Sequence, residues 1–200
     1  ASEASNFEIL KLKLGSDDDV PRFRAVREAR PDAILYVDAN SGWTPEQAAA
    51  NVKIMQAEGL SLVEQPVAKE DFAAMGFVQS QVGIPVVADE SLQSPADVDR
   101  LASAGVQAIN VKLMKLGGLG PALETIHRAR DRGLRIMLGC MIETSLGVTA
   151  MAHLSGLAEW LDLDAPILIS NDPFDGVAYD EAGSISVPDR PGIGARLRDS

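Results

Sequence analysis

The sequence contains little cysteine, little positive charge and no long apolar run. Its single cysteine, Cys140, argues against an internal disulfide framework and is typical of a reducing compartment, so we expect a cytoplasmic protein. Acidic residues outnumber basic ones by 29 to 18, and the formal net charge of −11 argues against nucleic acid or an anionic membrane as a partner. No uncharged apolar stretch is long enough to cross a bilayer.

One structural unit recurs along the chain. An apolar run rich in Val, Ile and Leu ends in a polar residue, and a turn and an amphipathic helix follow it. The last polar residues of the first five runs recur every 23 to 26 residues, which is typical of the βα units of a barrel. We treat residues 1–200 as one barrel domain. A closed barrel needs eight strands, so we expect one more strand before residue 1 and a longer protein. The seven runs are ILKLKLG, AILYVDAN, LSLVEQP, IPVVADES, QAINVKLMK, LRIMLGCMI and EWLDLD.

Three consecutive runs end in carboxylates, Asp38, Glu64 and Asp89. The C-terminal ends of barrel strands form the active-site face, so polar residues there indicate chemistry. Asp38 and Asp89 could instead cap the following helices, but Thr44 and Ser94 are better placed as caps. Crowded carboxylates raise one another's pKa, and a hard divalent cation removes that cost. The trio therefore predicts a Mg²⁺ site.

Lysines end the first and fifth runs on either side of this trio. Lys11 and Lys13 alternate with leucines and so point to the same side of their strand. That pattern alone favours lysines in water. Lys13 and Lys112, however, are four strands apart, which places them on opposite sides of an eight-stranded barrel, facing both sides of a substrate α-carbon. A lysine acting as a base needs a lowered pKa, which neighbouring cations can supply. Lys115 has the wrong strand parity and is predicted to be a loop residue.

Five motifs in order, LKLKLG, VDAN, VEQP, VADES and NVKLMKLGG, resemble those of the enolase superfamily, in the muconate lactonizing enzyme-like subgroup. The resemblance implies a TIM-like (β/α)7β barrel whose first strand and N-terminal capping domain are missing from this chain. It implies that the carboxylate trio binds Mg²⁺ and that Lys13 and Lys112 are the acid/base pair. It also implies that Lys11 contacts the substrate carboxylate. We further expect a homo-oligomer.

The later motifs GCMIETSLGVTAMAHL and DLDAPILISNDPF are similar to those of dipeptide epimerases. In that family the D-x-D pair, here Asp162 and Asp164, holds the ammonium group of the substrate, and Met141 and Ile142 are expected to present backbone to it. Carboxylates at positions i and i+2 of a strand face the same way and can flank one cation. The alternative is that they line a wet barrel rim. Glu143 is either a hydrogen-bond partner near the site or, as we favour, a charge at a helix N-terminus.

The expected activity is Mg²⁺-dependent epimerisation of dipeptides by 1,1-proton transfer, through an enediolate, at the α-carbon beside the C-terminal carboxylate. The substrate would be a small molecule, and His127 and His153 are expected to be surface or packing residues. A cycloisomerase or o-succinylbenzoate synthase of the same superfamily is an alternative that would not need the D-x-D pair. An inactive barrel fragment that serves as a binding or assembly module is an alternative of another class.

Overall fold

A computed structural model describes residues 4–198 of the chain, in which strands and helices alternate. No helix in this part of the chain is long and apolar enough to cross a membrane. The seven main strands are β1 (Ile9–Lys13), β2 (Ile34–Asp38), β3 (Leu60–Glu64), β4 (Val86–Ala88), β5 (Ala108–Val111), β6 (Arg135–Gly139) and β7 (Trp160–Asp162). The helices are α1 (Asp19–Ala29), α2 (Pro45–Ala57), α3 (Phe72–Gln81), α4 (Asp97–Ala104), α5 (Leu113–Leu116), α6 (Leu119–Asp131), α7 (Ser145–Ala152), a 3₁₀ turn (Ser155–Leu157) and α8 (Ala165–Leu168).

The seven strands form one parallel sheet in the order β1-β2-β3-β4-β5-β6-β7, which confirms the predicted barrel architecture. The sheet curls until its two ends approach each other. Lys11 on β1 donates a hydrogen bond to Asp162 on β7 over 2.6 Å. A cavity of about 620 Å³ lies at this opening, lined by residues of β1, β7 and the chain after β7. Within the described residues, β1 and β7 each pair with one neighbouring strand in this sheet.

The chain after β7 adds short strands beside the barrel. β8 (Phe174–Asp175) pairs with β11 (Arg196–Leu197), and β9 (Ala178–Tyr179) pairs with β10 (Ile185–Ser186), both antiparallel.

Alternation along the strands separates two apolar cores. On β2, Leu35 and Val37 are fully buried in the large core between the sheet and the helices. Tyr36, between them, belongs to a small cluster inside the barrel. Because side chains alternate along a strand, Asp38 shares the interior side with Tyr36. The same period turns Lys11 and Lys13 inward, while the leucines of β1 pack outward against the large core. The other members of the interior cluster are Leu62, Val87, Ala108 and Met137, with Trp160 against them.

The two predicted helix caps have different outcomes. Thr44 forms a capping box with Gln47 at the start of α2, as the sequence predicts. The assignment of Ser94 as a cap is wrong: α4 begins at Asp97, and its N-cap residue makes no side-chain cap hydrogen bond. The Asp97 carboxylate instead accepts from the Ser94 N–H (2.9 Å) and the Ser94 hydroxyl (3.0 Å). The serine hydroxyl is therefore engaged by an aspartate inside the helix.

The loops after β1 and β2 are packed tightly together. Gly15 has φ of +114°, and a Cβ on it would lie 2.4 Å from the Ala39 carbonyl oxygen, so glycine is required there. The buried Asp19 carboxylate accepts from the Gly15 N–H (2.8 Å), the Ser16 N–H (2.7 Å) and the Trp43 indole N–H (2.7 Å). These contacts fix the C-terminal ends of β1 and β2 relative to each other.

Candidate active site

Three carboxylates meet at the C-terminal ends of β2, β3 and β4. Asp38 and Glu64 are completely buried and Asp89 is nearly so. Each offers one oxygen, and these oxygens lie within 4.8 Å of one another, a group that could hold a metal ion. The sequence prediction that Asp38, Glu64 and Asp89 converge is therefore confirmed. Burial raises the pKa of Glu64, with Lys11 opposing and the charges of Asp38 and Asp89 adding to the rise.

The loop after β3 fixes the end of β4. Gln65 follows Glu64 directly and has φ of +35°, a strained backbone conformation for a residue other than glycine. Its buried side-chain carbonyl accepts from the main-chain N–H of Asp89 (3.0 Å) and of Ser91 (3.1 Å). Its amide nitrogen donates to the Ser91 hydroxyl over 2.8 Å. This side chain therefore ties the end of β3 to the segment that carries Asp89.

Lys13 and Lys112 lie at opposite ends of the carboxylate trio. The Lys13 Nζ is 2.5 Å from Asp38 Oδ2, and the Lys112 Nζ is 2.6 Å from Asp89 Oδ2. Lys13 is 63% exposed and Lys112 only 7%. Burial acts to lower the pKa of Lys112, but Asp89 raises it above its ordinary value. For Lys112 the carboxylates of Asp89 and then of Glu64 thus outweigh the effect of burial on the pKa.

Lys11 makes a different set of contacts from Lys13. Its Nζ lies 2.7 Å from Glu64 Oε2, 2.6 Å from Asp162 Oδ2 and 3.4 Å from Asp38 Oδ2. Burial opposes its charged form, yet Glu64, Asp162 and Asp38 together hold the pKa of Lys11 well above its usual range. The ammonium group that was expected to meet the substrate carboxylate thus links the trio to the D-x-D pair in this structure.

The two aspartates of the D-x-D pair have different surroundings. Asp162 ends β7 and is paired with Lys11, whereas Asp164 is exposed beside the cavity at the barrel opening. The Cys140 thiol lies 3.9 Å from Asp164 Oδ1. Partial burial, and then the charge of Asp162, raise the pKa of Asp164. Asp164 is therefore the member of the pair whose carboxylate is not already matched by a protein cation in the described residues.

The loop after β6 exposes the side chains of Met141 (42%) and Ile142 (72%). The Met141 N–H donates to Glu143 Oε1 over 3.0 Å, so this donor is used within its own loop rather than presented to a ligand. The Glu143 carboxylate lies over the first turn of α7, where the missing side chain of Gly147 leaves room for it. This position suits the preferred interpretation of Glu143 as a charge at a helix N-terminus.

Sequence reasoning missed two buried residues of the site. The prediction that Lys115 is a loop residue is wrong: it lies in α5, is 5% exposed, and its Nζ is 2.5 Å from Asp89 Oδ1. The short helix turns it inward, and strand parity does not apply there. Asn110 is completely buried on β5 and donates to Glu64 Oε1 over 2.9 Å. Asn110 lies two residues before Lys112 and so shares its side of the strand, and this spacing could have predicted from the sequence that Asn110 faces the site.

The cluster is balanced in charge. Four carboxylates, those of Asp38, Glu64, Asp89 and Asp162, contact four ammonium groups, those of Lys11, Lys13, Lys112 and Lys115. Such pairing offsets the cost of placing like charges at one end of a barrel. Both histidines lie outside this cluster: His127 is exposed on α6, and His153 contacts the Ile193 carbonyl, as expected of surface residues.

Comparison with known proteins matches the whole chain. The family described as Enolase C-terminal domain-like matches residues 1–200. A relative from Bacteroides thetaiotaomicron named L-Ala-D/L-Glu epimerase is 41% identical over 192 residues, which are 96% of this chain and 49% of the relative. One from Maribacter sp., named L-Ala-D/L-amino acid epimerase, is 39% identical over 189 residues, 94% of this chain and 56% of the relative.

A solved structure gives the same result for the fold. The dipeptide epimerase from Cytophaga hutchinsonii, complexed with Mg and the dipeptide D-Ala-L-Val, matches with a TM-score of 0.93 at 32% identity. The match covers 98% of this chain and 57% of that protein. The chain thus spans about half the length of the curated relatives it matches.

Proposed function

The chain belongs to the enolase C-terminal domain-like family, and from that membership we propose that its full-length protein epimerises dipeptides. The relatives' names and the dipeptide in the Cytophaga hutchinsonii structure support this substrate class. The observation that carries the proposal is the pair Lys13 and Lys112, whose ammonium groups contact the two outer carboxylates of the trio from opposite ends. A proton can then leave one face of a carbon and arrive on the other.

The acidic cluster fits the cofactor of the proposed reaction. Asp38, Glu64 and Asp89 bring oxygens within 4.8 Å of one another, and carboxylate oxygens are the ligands that Mg²⁺ prefers. These three residues would hold Mg²⁺. A bound Mg²⁺ would act as a Lewis acid on the C-terminal carboxylate of the substrate.

The lysines carry the proton transfer in this proposal. One of Lys13 and Lys112 removes the α-proton, the substrate becomes an enediolate, and the other lysine returns a proton to the opposite face. The reaction is a 1,1-proton transfer that inverts the α-carbon, which makes the enzyme an isomerase. Lys11 adds a third cation beside the trio, where negative charge develops in the transition state.

We assign binding of the substrate's amino-terminal ammonium group to the D-x-D pair. Asp164 is exposed at the cavity and its carboxylate can meet an ammonium group, while Asp162 is already paired with Lys11. An ammonium between the two aspartates would stabilise their charged forms. This requirement for a free amino terminus separates the epimerase from the cycloisomerase and succinylbenzoate synthase alternatives.

The remaining part of the protein is also a proposal. In the described residues β1 and β7 each pair with one strand, so their other edges would accept one further strand, and the greater length of the relatives supports an N-terminal capping domain. We keep a cytoplasmic homo-oligomer as the expected state of the whole protein.

The direct test is to incubate the full-length protein with single dipeptides in deuterium oxide. We expect inversion and deuterium incorporation at the carbon beside the C-terminal carboxylate, lost on chelation and restored by Mg²⁺. Lys53→Met, which removes an exposed lysine on α2, is the matched control and should retain activity. Absence of inversion and exchange with every dipeptide would contradict the proposal and favour the binding-module alternative.

A further inference from the structure

The two oxygens of each carboxylate in the trio contact different donors: one oxygen faces Lys11, Lys13 or Lys112, and the other accepts from a further donor. The Asn40 main-chain N–H donates to Asp38 Oδ1 over 2.9 Å, while Asp38 Oδ2 faces Lys13. The oxygens of Glu64 and Asp89 are divided in the same way between a facing lysine and a second donor, and there the second donor is a side chain. A carboxylate with one oxygen fixed has a defined orientation for the other.

Asn110 is the donor for Glu64. Its Nδ2 lies 2.9 Å from Glu64 Oε1 and donates a hydrogen bond to it. Gly139 on the neighbouring strand makes room for this amide, because a Cβ there would lie 2.5 Å from Asn110 Oδ1 and 2.8 Å from Nδ2. Glu64 Oε2 is left facing Lys11. The orientation of Glu64 thus depends on Asn110 and on a glycine beside it.

Lys115 is the donor for Asp89. Its Nζ lies 2.5 Å from Asp89 Oδ1, 2.6 Å from the Asp89 carbonyl oxygen and 3.0 Å from the Asn110 carbonyl oxygen. An ammonium group has three N–H donors, and buried protein acceptors use all three. Lys115 therefore has no donor left for a substrate. Asp89 Oδ2 is left facing Lys112.

We propose that Asn110 and Lys115 are positioning residues that hold one oxygen each of Glu64 and Asp89, and so fix the orientation of the carboxylate groups that would bind Mg²⁺. This inference rests on the proposed function, which places Mg²⁺ at the trio. Mg²⁺ demands near-ideal octahedral geometry, whereas Ca²⁺ accepts flexible geometry. Residues that orient ligands therefore matter more for Mg²⁺ than for Ca²⁺.

The test for Asn110 is a calorimetric titration of the full-length protein with Mg²⁺ and with Ca²⁺. Asn110→Leu removes the donor without adding charge, and should weaken Mg²⁺ binding roughly 10- to 100-fold, the usual effect of losing a residue that supports a ligand. The loss for Ca²⁺ should be smaller. Gly139→Ala keeps the donor but displaces it, and should act in the same direction. Lys53→Met is the control with native affinity. Native Mg²⁺ affinity in both Asn110→Leu and Gly139→Ala would overturn the role of Asn110.

For Lys115, a role through charge and a role through positioning predict opposite changes in Mg²⁺ affinity when the lysine is replaced. If the lysine acted only through its charge, Lys115→Met would tighten Mg²⁺ binding by removing a repulsive cation. As a positioning residue, its loss should weaken binding. Lys115→Arg keeps the charge but cannot reproduce three contacts from one nitrogen, so it should also weaken binding, and it carries the test if the methionine variant does not fold. Unchanged or tighter Mg²⁺ binding in the folded variants would overturn the role of Lys115.

Binding by the native protein distinguishes failure of the proposed function from failure of the positioning roles. A native full-length protein without measurable Mg²⁺ affinity would contradict the proposed function itself. Native binding that all of these variants retain would contradict only the positioning roles.

Discussion

Around the carboxylate trio, the lysines differ in how many of their N–H donors already have a partner in the protein. Lys115 donates all three of its N–H groups to buried acceptors. Lys11 lies between Glu64 and Asp162 and contacts both carboxylates. Lys13 and Lys112 each have one close carboxylate, so donors remain for a substrate. The free N–H donors of Lys13 and Lys112, together with their places on opposite strands, support the proposed acid/base roles of these two lysines.

The first prediction concerns Asp164. Asp164→Asn in the full-length protein should lower kcat/KM for free dipeptides roughly 10- to 150-fold, because a hydrogen bond to a charged group contributes about 1.5–3 kcal/mol and each 1.4 kcal/mol is tenfold. N-acetylated dipeptides lack the cation, so they should be poor substrates and lose little more in the variant. Steady-state kinetics with both substrates measures this. Equal turnover of free and acetylated dipeptides by the native enzyme would refute the epimerase assignment.

At the scale of elements, loops hold the strand ends that carry the site. Asp19, in the first turn of α1, joins the loop after β1 to Trp43 in the loop after β2. Burial acts to raise the pKa of Asp19, but the hydrogen bonds from Gly15, Trp43 and Ser16 hold it below its ordinary value. A carboxyl with a depressed pKa stabilises the fold above its ordinary pKa, and that contribution is lost as the pH falls.

The second prediction follows from this loop contact. Asp19→Ala should cost about 1–3 kcal/mol of unfolding free energy at neutral pH, since it leaves buried donors unpaired. The difference from the native protein should begin to shrink below about pH 4, where the carboxyl of the unfolded chain becomes protonated, and should shrink further until the native carboxyl, whose pKa is lower, is protonated as well. Urea unfolding of both full-length proteins at several pH values measures it. A difference that stays constant down to acid pH would show that the charged carboxylate is not what matters.

The pattern of strands in the sequence predicted the barrel and the residues at its strand ends. It did not predict the contacts of several residues that lie outside the strands. The parallel barrel follows from the 23- to 26-residue spacing of its strand–helix units, and the carboxylate trio and the opposed lysines follow from their places at the ends of counted strands. Period-two alternation predicts that Lys11 and Lys13 share one side of β1. Lys115 lies in α5, a single helical turn whose rotation the strand period does not describe. The Met141 N–H contact with Glu143 depends on loop geometry, which a local pattern does not encode. The prediction that Ser94 caps α4 is wrong because its hydroxyl donates to the carboxylate of Asp97.

At the scale of the whole molecule, residues 4–198 leave the barrel open between β1 and β7, each of which pairs with one strand of the sheet. The chain spans about half the length of the relatives it matches. Free edges of a parallel sheet present unpaired N–H and C=O groups, which is a liability unless another segment covers them. We therefore expect a further strand of the full-length protein at this opening.

The third prediction uses amide hydrogen exchange. Amides of β1 and β7 should exchange at least about tenfold more slowly in the full-length protein than in residues 1–200 alone, because a pairing strand protects them. β3 has a partner on each side and serves as the internal control, with similar protection in both. Equal exchange at β1 and β7 in the two proteins would contradict a strand at this opening.

The central claim is that Lys13 and Lys112 act on opposite faces of one substrate carbon. The measurement that tests it most directly is α-proton exchange of each pure epimer in deuterium oxide, with full-length Lys13→Ala and Lys112→Ala. Each variant should lose epimerisation, because one face no longer has its acid or base. Each should still exchange one epimer, and the two variants should exchange opposite ones. If both variants exchanged the same epimer, or either still inverted the carbon, the two-faced arrangement would be wrong.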